Sequence, residues 1–426
     1  LFRIGFNLFG LFMINKRYIL FNSTPILKDK QGRYTCDPFW AKDLRLHLGY
    51  ISKLVLCCPV IETDEKSDMP SLIKMISYNF GALADITDDG IEIIALNPSI
   101  GWLQVFKNLV PNFLKVKHAI STDCIVHSDA AGWPFPISFY LLPLKFFYKF
   151  KWIVVMESTF WAVKKGDQFS IRKWFTHTAH QLLLPHCLKN ADARIFTHTV
   201  YKNMFISDDT NVHISEYSNL DNEFLVDEAK VKDKFLQMNT RSMRFLLAGR
   251  LIPDKGIQVL LNAVSVLREK GVKAQIDVMG SGELEQACRD FAAKSQGSVV
   301  FSFVETVPYG KPFFELLSTY DVLLLANLTE EQPRIVLDAF GQGLSIVASD
   351  TEGLKTICKH QHNSIVFKTG DVNALAEAIT YAVNHPSDML YMGLEGLKLA
   401  QTKTHQRMHE DRASFLDKTF KLVQNQ

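Results

Sequence analysis

Short apolar runs recur along the chain, separated by stretches in which apolar residues return at helical spacing. YILFN (18–22), KLVLCCPV (53–60), IEIIAL (91–96), CIVH (124–127), WIVVME (152–157) and RIFTH (194–198) read as strands in the first half. RFLLAGR (244–250), AQIDVMG (274–280), SVVFSFV (298–304), DVLLLAN (321–327), LSIVAS (344–349) and SIVF (364–367) do so in the second. Between them lie helical patterns such as 256–270, where Ile257, Leu260, Leu261, Val264 and Leu267 share one face. Strands alternating with helices predict an α/β protein with parallel sheets. The two sets of six predict two Rossmann-like, doubly wound domains facing a deep cleft. Residues 215–240 are polar and carry no strand signal, which puts the seam there. The expected organisation is 1–225, 226–403, and a helix over 404–426 that crosses back to the first domain. In such sheets ligands bind beyond the carboxyl ends of the strands, so function is sought in the residues just after each strand.

Composition narrows the class. With 47% apolar and 22% charged residues, the chain is neither disordered nor collagenous nor a coiled coil. Lys+Arg exceed Asp+Glu by 47 to 45, so no whole-chain field points to nucleic acid as a partner. The seven cysteines form no C-x-x-C pair and sit mostly in apolar runs. They are expected to be reduced, buried thiols of a cytosolic protein, and a zinc site is not expected. The opening run LFRIGFNLFGLF is broken by Arg3 and Asn7 and falls short of the ~20 apolar residues of a membrane span. It reads as a signal remnant, or as a mis-set start or added tip ahead of an opening strand in MINKRYILF; the second group is preferred.

Candidate chemistry clusters in the second half. The strand ending at Gly249 is followed by Arg250-Leu251 and then by Lys255-Gly256 at a helix start. A strand-end glycine lets backbone approach a ligand closely, and a helix start offers amide donors. A guanidinium fork and an ammonium beside it suit a diphosphate; the plain alternative is a loop with two solvated charges. Gly280 and Gly282 follow the next strand, but Glu285 holds the last position of G-x-G-x-x-G, so no dinucleotide fingerprint is present. A tight strand-to-helix turn is the plainer explanation of these two glycines. Further on, Glu330 and Asp338 lie eight apart on a loop-to-helix corner, where acids are also favoured simply by the helix dipole.

GRLxxxKG, G-x-G, E-x7-[E/D], A-x-G-x-G and SD-x-x-G, co-linear over about 240–400, resemble the family-4 retaining glycosyltransferases of the GT-B fold. The resemblance implies a glycosyltransferase that moves a sugar from a nucleotide-sugar donor to a hydroxyl of a glycan or lipid-linked acceptor, in surface polysaccharide or glycan biosynthesis. It implies that Gly249, Gly280 and Gly282 line the donor, and that Arg250 and Lys255 hold its diphosphate. Glu330 would sit by the transferred sugar, the amides around Ile335 and Val336 near the phosphates, and Asp338 at the ribose. Neither a metal nor a cofactor is expected, and Asp88-Asp89 precedes a strand where a metal-binding D-x-D would follow one. The chain departs from the pattern at Asp338, one methylene shorter than the usual Glu, at Gln332-Pro333, and at Thr356, where a further Glu is frequent. Those departures keep a non-catalytic nucleotide-sugar-binding protein open as an alternative, beside a GT-B epimerase or phosphorylase.

The first half resembles the family less. Either His127 or Asp129, at the end of the strand CIVH, matches the residue that faces the acceptor, and Gly32 matches the N-terminal glycine loop without its usual Gly-Gly pair. Residues 101–173 carry ten basic side chains against four acidic ones, a local charge of +6, with aromatics interleaved in LKFFYKFKW. Such a surface suits anionic lipid at about 1 kcal/mol per basic residue near the membrane; a core helix with solvated lysines is the plain alternative. The expected location is the cytoplasm, peripherally on the inner face of the cell membrane.

Overall fold

The computed structural model describes residues 13–422 except 65, 77–82, 100, 133–134, 160, 164–169, 217, 237–240, 295–296 and 331–332. The opening run, Lys164, Lys165, Asp167 and Gln332 therefore lie outside the described residues. Two compact units emerge, residues up to Glu216 together with Met408 onward, and Tyr217–Arg407.

The first unit opens with β1 (Tyr18–Phe21), β2 (Ile26–Lys28), β3 (Tyr34–Cys36), α1 (Pro38–Leu48), β4 (Leu54–Glu62), α2 (Met69–Ile76) and β5 (Ala84–Asp85). It continues through β6 (Glu92–Leu96), α3 (Trp102–Ala119), β7 (Ile125–Asp129), α4 (Ser138–Phe147) and β8 (Lys151–Met156). α5 (Ile171–Asn190), β9 (Ala193–Phe196), α6 (Thr199–Phe205) and β10 (Val212–Ile214) follow. The sheet runs β10-β9-β8-β7-β1-β4-β2-β3-β5, with β6 also on β4. Its long strands are parallel, and among the described residues only β2–β3 and β3–β5 are antiparallel. All six strands read from sequence are present. β2, β3, β5 and β10, at two to three residues each, were too short to leave a periodic signal.

Both faces of this sheet are covered, which is why β4 reads as an unbroken apolar run. Cys57 and Cys58 point to opposite sides and join different cores. One core is sealed by α3, α4 and α5, the other by α1 and by the C-terminal helix through Ala413, Leu416 and Phe420. All seven cysteines are free and buried, and burial pushes the thiols of Cys36, Cys57, Cys187 and Cys358 up to about 12.

The second unit comprises α7 (Glu228–Leu236), β11 (Met243–Ala248), α8 (Ile257–Glu269), β12 (Ala274–Met279), α9 (Glu285–Ala293) and β13 (Val299–Val304). After it come α10 (Lys311–Ser318), β14 (Val322–Leu325), α11 (Ile335–Gly341), β15 (Ser345–Ser349), α12 (Glu352–Lys355) and β16 (Ser364–Phe367). α13 (Val372–Asn384) and α14 (Pro386–Gln401) close it, and α15 (His405–Phe420) is the C-terminal helix. The sheet is wholly parallel in the order β13-β12-β11-β14-β15-β16. Residues ahead of the expected 225 boundary already belong here. Leu220 is fully buried against Gly341, and the Val226 amide bonds the Gly341 carbonyl at 2.8 Å.

Sequence distance hid a buried polar network where the C-terminal helix meets α1. His409 Nε2 donates to Asp43 Oδ1 at 2.9 Å. The His47 ring meets that of His409 edge-on at 4.6 Å, and its Nδ1 lies 2.8 Å from the Asp43 carbonyl. Arg412 Nη1 donates to His47 Nε2 at 3.1 Å, which makes that nitrogen the acceptor. Beneath them the Tyr18 hydroxyl bonds His127 Nδ1 at 2.8 Å.

Burial holds His127 and His409 neutral far below the ordinary imidazole range, and it lowers His180, also in this unit, to about 4. As pH falls below about 6.5, the unfolded chain takes up protons that these rings refuse in the folded state. Each should therefore remove about 1.4 kcal/mol of stability per pH unit until the folded value is reached. Urea midpoints should fall clearly between pH 7 and pH 5; equal midpoints would contradict the neutral, buried assignment.

Candidate functional site

The second sheet has its topological switch between β11 and β14. The chain leaves β11 toward β12 and β13, then returns to β14 on the other side. The loops after β11 and β14 diverge there, the usual position of a ligand crevice in an open parallel sheet. Every residue matched to the donor site stands on loops or helix starts at this end of the sheet.

Close backbone packing builds the rim. The Gly249 amide donates to the Met279 carbonyl at 3.0 Å and the Leu251 amide to the Ser281 carbonyl at 2.8 Å. A Cβ on Gly280 would fall on the Gly249 carbonyl oxygen, and one on Gly282 would strike the Leu251 backbone. These two glycines thus act by letting the 249–251 strand end lie against the 280–284 turn. Lys255 closes a short 3-10 turn, and Gly256, at φ +67°, is the residue just ahead of α8. A Cβ on Gly256 would collide with the Ala326 carbonyl, and the Leu328 amide donates to the Asp254 carbonyl at 2.8 Å. The segment bearing Arg250 and Lys255 is in this way fastened to the one that leads into Glu330.

Glu330 is exposed, and its Oε2 accepts the Gly353 amide at 3.1 Å at the start of α12. Ser349 Oγ donates to the Asn327 carbonyl at 2.7 Å, while Asp350 Oδ1 accepts the Thr369 amide and hydroxyl at 2.8 and 2.6 Å. The last bond holds Asp350 below the ordinary carboxylate range. Ser349, Asp350 and Gly353 are the fixed residues of SD-x-x-G, so that motif braces the Glu330 loop. Arg250 is exposed and Lys255 half-buried.

Two of the expected donor positions already make bonds within the unit. The Val336 amide bonds the Pro333 carbonyl at 3.2 Å, which commits it within its own turn and leaves Ile335 as the first residue of α11. Asp338 is only 4% exposed, and its Oδ1 accepts the Tyr309 hydroxyl at 2.8 Å. Burial, and next the adjacent carboxylate, push the Tyr309 phenol far above its usual value. Tyr309 lies 29 residues from Asp338, and no spacing rule could have paired them.

In the first unit the switch falls between β1 and β7. Ser23 Oγ, just after β1, donates to Asp129 Oδ2 at 2.6 Å, and the Ile137 amide donates to Asp129 Oδ1 at 3.0 Å. Asp129 thus ties the β1 loop to the start of α4, and burial raises its carboxyl against the pull of these bonds. His127 is buried beside Tyr18 and His47, on the face covered by α1 and α15. Gly32 does not follow β1 directly. It sits at φ +80° in the β2–β3 hairpin, where its amide bonds the Asp29 carbonyl at 3.0 Å. A left-handed turn position accounts for that glycine.

Residues 242–385, about a third of the chain, match the family model described as glycosyl transferases group 1. The chain is similar to an uncharacterized glycosyltransferase of Haemophilus influenzae, 25% identical over 162 residues, 38% of this chain and 44% of that protein. It therefore spans less than half the length of that curated relative. It is also similar to the UDP-Gal:alpha-D-GlcNAc-diphosphoundecaprenol alpha-1,3-galactosyltransferase of Escherichia coli. That match is 22% identical over 322 residues, 72% of this chain and 79% of the relative. Among solved structures, Anabaena HepE in complex with UDP-glucose aligns with a TM-score of 0.59 at 13% identity, over 94% of this chain and 99% of that one. The chain thus has the GT-B fold, and residues 242–385 of it match a group 1 glycosyltransferase domain.

Proposed function

We propose that this protein is a family-4, retaining glycosyltransferase. It moves a sugar from a nucleotide-sugar donor to a hydroxyl of a glycan or lipid-linked acceptor, in surface polysaccharide assembly at the cytoplasmic side of the membrane. One observation carries the reading. The backbone lock of Gly256 on Ala326 and of Asp254 on Leu328 draws the segment of Arg250 and Lys255 to the Glu330 loop at the switch point. HepE was solved with UDP-glucose, which supports a uridine nucleotide as the first donor to try. The name of the Escherichia coli relative supports a diphosphate-lipid-linked acceptor.

In this reading Arg250 forks onto the diphosphate and Lys255 adds a point charge, both neutralising the charge that grows on the leaving nucleoside diphosphate. Because cationic side chains do this work, the reaction requires no metal. Glu330, oriented by the Gly353 amide, faces the transferred sugar, and Asp338, steadied by Tyr309, lies toward the ribose. On the acceptor side the reading assigns the β1–β7 switch with Asp129, and His127 stands behind it. Catalysis is then mainly positioning and electrostatic stabilisation.

Glu330→Gln should lower sugar transfer from UDP-glucose, or whichever UDP-sugar is consumed in the presence of acceptor, by about 10²–10³-fold with an unchanged melting temperature. Near-normal turnover in the folded variant would contradict the role of Glu330. Arg250→Ala should weaken UDP binding by roughly 10- to 100-fold in calorimetry, the worth of a charge-assisted pair. An unchanged affinity would reject its phosphate role.

A further inference from the structure

α3 is amphipathic in an unusual sense. Its inward side is Val105, Asn112, Val116 and Ala119, whereas the opposite side presents Leu103, Phe106, Val110 and Leu114. Leu103 is 89% exposed, Phe106 62% and Val110 63%. A helix on a water-facing surface carries polar residues there. The patch does not stop at α3. The Trp102 ring lies 5.9 Å from Phe106, 6.2 Å from Phe135 and 5.9 Å from Phe175, which joins α3 to the start of α5. α5 adds exposed Ile171 and Trp174, and α4 ends in exposed Phe146 and Phe147. Single surface hydrophobics are ordinary, but a cluster of this kind, joined from α3 to α5 through Trp102, marks an interaction surface.

Charge identifies the occupant. α3, α4 and α5 contain no Asp or Glu, and Lys107, Lys117 and Arg172 are exposed on the same helices. Two lysines of the basic tract do not contribute. Lys115 Nζ bonds the Ala95 carbonyl and Asn97 Oδ1, each at 2.8 Å, and Lys145 Nζ pairs with Asp192 at 2.6 Å. A second copy of this chain would bring an equally cationic face against the first, so like charges oppose self-association here. An anionic bilayer offers a negative surface to the lysines and an apolar interior to the aromatic and aliphatic side chains, while Trp174 suits the boundary between them. We propose that the α3–α4–α5 face docks the protein on an anionic phospholipid surface, with Leu103, Phe106 and Val110 inserted and Lys107, Lys117 and Arg172 at the head groups.

The test reads lipid binding alone, so it does not depend on the proposed transferase activity. The full chain would be floated with vesicles of phosphatidylcholine alone and with vesicles containing about a third phosphatidylglycerol. Binding to the anionic vesicles should exceed that to neutral ones by about tenfold or more, and should weaken from ~0.1 M to ~1 M salt as the screening length shrinks. Phe106→Ser with Val110→Ser should reduce binding at least ~tenfold at either salt, and Lys107→Glu with Lys117→Glu should erase the preference for anionic lipid. Melting temperature and far-UV circular dichroism should stay unchanged in both variants, which reports that they are folded. Absent binding, or equal binding to both vesicle types, would overturn the proposal. So would a dimer in sedimentation velocity that Phe106→Ser with Val110→Ser dissociates, since that would assign the face to a second copy of the chain.

Discussion

Two backbone segments from different parts of the second sheet touch where only a glycine allows it. Gly256 rests on the Ala326 carbonyl with no room for a Cβ, in a left-handed conformation that other residues adopt at a cost. The Leu328–Asp254 bond fixes the register of that contact. The order of the strand-end loops follows from it. The 250–255 segment cannot drift from the 327–330 segment, and the turn at 280–284 is zipped onto the same edge through Gly249 and Leu251. A ligand held there meets a rim whose backbone is set before it arrives, which lowers the ordering cost of binding.

The two ends of β14 show how charge is divided between stability and function. At its start Asp321 is fully buried and takes a two-point fork from Arg241 at 2.6 and 2.8 Å, along with the Arg244 amide at 2.8 Å. Nearby, burial lowers Lys234 to about 8 while its ammonium bonds the Tyr320 carbonyl. Removing one partner of a buried pair typically costs about 3–5 kcal/mol, so that end is a structural clamp. At the other end Arg250 and Glu330 remain exposed, and the bonds that hold their loops are made mostly by backbone. Charges exposed to water at a strand end are accessible to a charged ligand.

Much of this was legible in the sequence, for physical reasons that also mark where reading failed. Strands buried on both faces leave unbroken apolar runs, so all six of the second unit and the six long ones of the first could be read directly. β5, of two residues, and the β2–β3 hairpin leave no such run, so the turn that holds Gly32 could not be read from the sequence. At the strand-end loops of the second sheet the glycine spacing was visible, but not the close backbone contact that Gly280 and Gly282 make possible. Contacts between residues far apart in sequence carried no signal at all. Tyr309 on Asp338, Ser23 on Asp129 and His409 on Asp43 each needed the folded chain. The basic tract was visible as composition, but only the folded helices separate Lys107 and Lys117, which face outward, from Lys115 and Lys145, which are bonded inward.

The central claim is that the strand-end loops of the second sheet form one preordered site for a nucleoside diphosphate. Amide hydrogen exchange of the full chain with and without saturating UDP tests it most directly. The account expects slowed exchange in peptides covering 249–256 and 326–330 together, with the β2–β3 hairpin around Gly32 unaffected. Protection confined to the first unit, or none in either loop at saturation, would contradict it.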